Sequence, residues 1–204
     1  MKRTLLAAAM IAGTALPAGA ASLSKTYSYF SIGGNTLDEI EAELASRGPH
    51  VNASNRRHPG ATQMEFTTRL SYSQTPGSCK IVSAQVSVKA KVILPRWRRS
   101  RKAEQDVRLI WDTLASDIKR HEESHVVIAK NHAREMEQAL KAMDRQKDCR
   151  TAAAKAKEVT AKILARHDRA QMEFDRVEGK NFESRIIRLL QYRLEQIKAG
   201  RLPG

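Results

Sequence analysis

The chain has 204 residues, with 36 Lys and Arg against 22 Asp and Glu, for a formal charge of +14. Its 41% hydrophobic and 28% charged residues provide enough apolar material for a packed core, which excludes a disordered polycation. Aromatics make up only 5% and do not interleave with the basic residues, so base-stacking platforms are missing and no nucleic-acid partner is expected.

Lys2 and Arg3 open the chain, Leu5 to Leu16 is an Ala-rich apolar run, and Ala18-Gly19-Ala20 offers small residues at both positions a signal peptidase reads. The run is shorter than the roughly 20 residues that span a bilayer. Residues 1–20 are therefore expected to be a cleaved secretory signal, leaving a periplasmic or secreted protein with no transmembrane segment. In an oxidising compartment Cys79 and Cys149, the two cysteines of the chain, are expected to form one disulfide.

Tyr27, Tyr29 and Ser31 share one parity and read as a first strand, ended by Gly33-Gly34. Thr36 with Glu39 forms a capping box for a helix carrying Leu37, Ile40 and Leu44 on one face, and Gly48-Pro49 stops it. Residues 61–72 and 80–94 read as two further strands, the second with Val82, Ala84, Val86 and Val88 in period two. Pro76-Gly77 sits in the loop of the resulting hairpin. Together these make a small antiparallel β layer with one helix.

From Arg96 through Glu178 there is no Gly or Pro. Val107, Trp111, Leu114, Ile118, His121, His125, Ala129, His132, Met136, Leu140 and Met143 recur in steps of three or four, the signature of one face of a long amphipathic helix. Asp144 to Asp148 is the expected turn. A second helix follows through Val159, Ile163, His167, Ala170, Phe174 and Val177, ending near Gly179, and Phe182 to Lys198 reads as a short third helix. The expected fold class is α+β: the β layer followed by a long antiparallel helical hairpin.

The long helix carries His121-Glu122-Glu123-Ser124-His125, an HExxH motif. Two histidines at i and i+4 lie one turn apart on the same side, so their imidazoles can converge on one zinc ion while the adjacent Glu122 acts as general base. A catalytic zinc takes three protein ligands and leaves a fourth position for water. His132 lies seven residues beyond His125, about 10 Å along an unbroken helix axis, and fits poorly. An antiparallel second helix turning near Asp148 sets residues around Glu173 opposite Glu123, which makes Glu173, Asp175 and Glu178 the candidates for the third ligand. His167 shares that face but lies nearer the turn.

The order Tyr-x-Tyr, Thr36 to Ile40, Gly48-Pro49, Leu94-Pro95-Arg96-Trp97, Trp111, His121-Glu122-x-x-His125, Cys149 and Phe174-Asp175 resembles a bacterial family of predicted secreted zinc-dependent proteases, domain of unknown function 922. The resemblance runs to about Gly179 and implies a zincin-like metallopeptidase domain over residues 21–180, with a C-terminal helical extension over 181–204. The family pattern carries a His-Gly pair a few residues beyond the aromatic-Asp pair, where this chain has Lys180-Asn181, a departure that implies either an impaired member or Lys180 as a substitute electrophile. The similarity of HExxH plus a downstream Asp to the aspzincin ligand set favours Asp175 over Glu173. What the resemblance implies is an exported metallopeptidase acting on peptide or protein substrates, with zinc held by His121, His125 and Asp175.

Arg96-Trp97-Arg98-Arg99-Ser100-Arg101-Lys102 is the densest basic run, read chiefly as a solvated joint before the long helix with Trp97 turned inward. The rival reading of the whole chain is a non-catalytic envelope protein with a structural or vestigial zinc site, using that surface to bind an anionic envelope polymer.

Overall fold

The computed structural model describes residues 21–51, 56–99 and 101–202. The expected signal, residues 1–20, lies outside the described residues.

The alternating valines form the centre of the molecule. Strand β5 (Ser78–Trp97) buries Ala84, Val86, Val88, Ala90, Val92 and Leu94 on one face. β4 (Ala61–Thr75) pairs antiparallel along it, and Gly77 takes φ 71° in the turn between the two, a conformation that costs glycine little. A register shift at Ser71/Tyr72 inserts an extra residue in β5, so Ile81 and Ala84 both face inward while Val82 is exposed. The expected period-two run therefore starts at Ala84, not at Val82.

The β layer is mixed, which corrects the expectation of a wholly antiparallel one. β1 (Ser22–Ile32) lies on the other side of β5 and runs parallel to it, from Ser22 beside Ser87 to Ile32 beside Trp97. The reason is where the chain crosses over. β1 ends and β4 begins at the same end of β5, Ile32 beside Trp97 and Ala61 beside Ile93, so the two outer strands oppose each other and only β4 opposes the central one.

The crossover is made by α1 (Leu37–Arg47) and a two-stranded ribbon of β2 (His50–Val51) and β3 (Arg56–Arg57), which the sequence did not suggest. The Thr36 hydroxyl accepts from the Glu39 N–H, and Gly48 closes α1 by donating to Leu44 O at 2.9 Å. α1 buries Ile40 against Ile32, Trp97 and Trp111.

Helix α2 (Gln105–Lys141) lies on the inner face of the sheet. Ala129 and Ala133 let it approach closely, and Met136 and Leu140 fill the space against Ile81, Val86 and Val88. α3 (Cys149–Lys198) packs on α2, starting from Asp148, whose carboxylate accepts from the Thr151 N–H at 2.7 Å. Contacts running from Glu135–Arg166 through His125–Gln171 to Asp117–Arg185 show that the two helices are antiparallel. Cys79 and Cys149 form a disulfide that ties the sheet to the start of α3.

One expectation about the helices is corrected. α3 does not end near Gly179 but runs unbroken over its 50 residues to Lys198, taking in the segment read as a separate third helix. A single interior glycine costs about 1 kcal/mol relative to alanine, and beyond it Arg185 is anchored to the buried Asp117 of α2.

Candidate metal centre

The inward stripe of α2 passes through Ile118, Glu122, Val126, Ala129, Ala133 and Met136, which face the sheet. His121 and His125 are turned to one side of that stripe, towards α3. This separates the two parts of HExxH: Glu122 is buried against the β4 side, while both imidazoles meet the second helix.

Across from them stands Asp175. Its Oδ1 lies 3.2 Å from His121 Nε2 and 3.0 Å from His125 Nε2, and the two nitrogens are 3.1 Å apart. Of the groups of three or more His, Cys, Asp and Glu side chains among the described residues, these three converge closely enough to share one cation. Zinc bonds of about 2.0–2.1 Å at tetrahedral angles place ligand atoms about 3.3 Å apart, so the donor set and spacing fit zinc with little adjustment. A proton or a metal cation among three such atoms would offset the repulsion of their lone pairs. Burial raises the Asp175 carboxyl, but hydrogen bonds from His121 and His125 outweigh it and hold the group well below the usual carboxylate range. Burial lowers His125, yet Asp175 and Gln171 leave it raised.

Phe174 supports the pair of imidazoles, with its ring centroid 5.0 Å from that of His121 and 5.1 Å from that of His125. Gln171, one turn earlier on α3, places Oε1 2.5 Å from His125 Nδ1. The other carboxylates in the window are engaged elsewhere. Glu173 is exposed and paired with Arg176. Glu178 is paired with Arg120 and Arg185 and comes no closer than 3.7 Å to His121 Nδ1.

Glu122 is buried, and burial pushes its carboxyl above the ordinary value, with the Thr62 hydrogen bond opposing that shift. The Thr62 hydroxyl donates to its Oε2 at 2.8 Å. Gly60 leaves the space the side chain occupies: a Cβ there would lie 2.8 Å from Glu122 Oε1 and 3.0 Å from Ile118 Cγ2.

These residues line a cleft of about 480 Å³. One wall comes from Pro59, Gly60, Thr62 and Met64 at the start of β4, the floor from α2, and the far wall from Asp175, Phe182 and Arg185 of α3. The segment beyond residue 180 thus forms part of the cleft. Lys180 is exposed and is not among the residues that line it. His132 bonds the Ile128 carbonyl and His167 packs on Phe66, both outside the triad.

Sequence reasoning missed Gly60, Thr62, Gln171 and Arg185. The first two come from the start of β4 and the residue before it, whose placement against α2 leaves no mark in the local sequence. The α3 residues had a signal: His167, Gln171, Asp175, Glu178, Phe182 and Arg185 recur in steps of four and three, a series that shares His167 with the apolar stripe followed above and then runs one position beyond it. No curated protein and no solved structure matches the chain significantly. A family match covers residues 27–182, from the first strand to the cleft-lining Phe182: the chain belongs to the family described as bacterial protein of unknown function (DUF922).

Proposed function

We propose that the protein is an exported zinc-dependent metallopeptidase that hydrolyses amide bonds in peptides or proteins. The observation that carries this reading is the convergence of His121, His125 and Asp175 at 3.0–3.2 Å beside a buried glutamate that opens on the same cleft. Bound zinc would supply a Lewis acid for the scissile carbonyl and would bring the pKa of a water towards neutrality.

The chain's own residues do the rest. His121, His125 and Asp175 hold the ion from two helices whose spacing is fixed by packing. Glu122 takes the proton of the attacking water and returns it to the leaving amine. Its burial suits that task, because a carboxyl held above its ordinary value is a stronger base near neutral pH. Thr62 keeps it aimed, and Gly60 gives it room. The disulfide is compatible with the oxidising location expected from the N-terminal segment.

The test is cleavage of a general protein substrate by the purified protein with and without a chelator. We expect one equivalent of zinc, hydrolysis that is lost on chelation and restored by zinc, and a 10²–10⁴-fold lower turnover in Glu122→Gln with zinc content unchanged. Parent-rate turnover in that variant would remove Glu122 from the mechanism. Stoichiometric zinc with no hydrolysis would favour the non-catalytic envelope protein.

A further inference from the structure

Gln171 makes a closed set of hydrogen bonds whose directions follow from the chemistry of its partners. Its side-chain amide nitrogen lies 3.2 Å from the backbone carbonyl oxygen of His125, an atom that can only accept. The NH₂ group must therefore face that carbonyl, and the amide oxygen must face His125 Nδ1, 2.5 Å away. An amide oxygen can only accept, so Nδ1 carries the proton and donates. In the neutral imidazole this leaves the lone pair on Nε2, the nitrogen that meets His121 and Asp175.

The same amide nitrogen is 2.8 Å from His167 Nε2 and donates to it, which places the His167 proton on Nδ1, where Asp168 Oδ1 accepts at 3.0 Å. His167 is itself buried, with Phe66 edge-on at 5.0 Å. The Gln171 amide is thus held from two sides and cannot turn over without setting oxygen against oxygen.

We infer that Gln171 is a positioning residue for the metal centre: its amide oxygen fixes the ring orientation and tautomer of His125, presenting Nε2 as a ligand, with His167 locking the amide in that sense. This rests on the zinc-binding reading above and deepens it. Partners that orient a ligating histidine in this way typically set metal affinity by 10–100-fold when removed.

The test is zinc affinity, measured by competition with a chromogenic chelator, for the full chain and for Gln171→Leu and Gln171→Glu, together with the thermal midpoint of each zinc-free protein. Gln171→Leu removes the acceptor at similar volume and is expected to weaken zinc binding 10–100-fold with a zinc-free midpoint close to the parent's. Gln171→Glu keeps an acceptor oxygen towards Nδ1 but loses the donor to the His125 carbonyl and His167, so it is expected to lose less affinity than Gln171→Leu. Parent-like affinity in Gln171→Leu, or equal losses in both variants, would overturn the positioning role and leave the zinc site standing. A parent protein that binds no zinc would overturn the zinc reading itself. If Gln171→Leu does not fold, the tautomer of His125 in the zinc-free parent decides alone, read by ¹⁵N NMR at a pH where the ring is neutral: the proton is expected on Nδ1, and a proton on Nε2 overturns the inference.

Discussion

At the scale of single residues, the centre depends on charges that are matched close to the cleft. Asp117, one turn before His121, is buried and accepts from Arg185 Nε at 3.0 Å and from Arg120 Nε at 2.9 Å. Burial raises its carboxyl, but the hydrogen bonds from Arg185 and Arg120 prevail and hold it below the ordinary value. A depressed carboxyl stabilises the fold fully above its unfolded value, about 3.9, and loses that contribution as pH falls through the lower, folded value. Asp117→Asn is therefore expected to cost about 3 kcal/mol at pH 7, as for a broken buried pair. In urea titrations the gap between parent and variant should shrink below pH 4; a gap unchanged down to pH 2 would contradict the assignment. His121, Glu122 and His125 were legible in the sequence because a spacing of one and four is fixed by the helix alone. Thr62 and Gly60 were not, because their contact with Glu122 spans about sixty residues of chain and exists only once the sheet is docked.

At the scale of elements, the register of α2 against α3 decides which carboxylate reaches the imidazoles. Both helices rise by the same 1.5 Å per residue, so a turn near Asp148 was enough to bring the window around Glu173 opposite Glu123. The observed contacts, His125 with Gln171 and His121 with Asp175, centre on that pair. Which side chain in the window pointed inward was less legible, because the apolar stripe of α3 lies one position away from the polar stripe that meets α2. The direction of β1 was hidden too, since it depends on where the crossover leaves the sheet. The unbroken passage of α3 through Gly179 has a direct consequence. Nothing lies within 4 Å of a Cβ built there, so Gly179→Ala is expected to stabilise the protein by about 0.5–1 kcal/mol, read as a raised denaturation midpoint. A lower midpoint would mean that the helix does not continue through this position.

At the scale of the whole molecule, the chain builds a sheet that supports a helical hairpin and places its chemistry where the hairpin meets the strand edge. The disulfide joins the far end of that arrangement, and the cleft lies towards the other end, where Arg185 and Asp117 hold the continuation of α3 against α2. The basic run before α2 is partly absorbed by the fold: Trp97 is buried with its indole N–H donated to Gly34 O at 3.0 Å, Arg96 lies over the Tyr29 ring, and Arg99 pairs with Asp112. The positive charge thus serves in part as a joint between sheet and helix. The most direct test of that centre is a crystal structure of zinc-loaded protein with anomalous data collected at the zinc edge. The account predicts one strong peak about 2.0–2.2 Å from His121 Nε2, His125 Nε2 and an Asp175 carboxylate oxygen. A peak bound by other residues, or none at this triad in fully loaded protein, would contradict it.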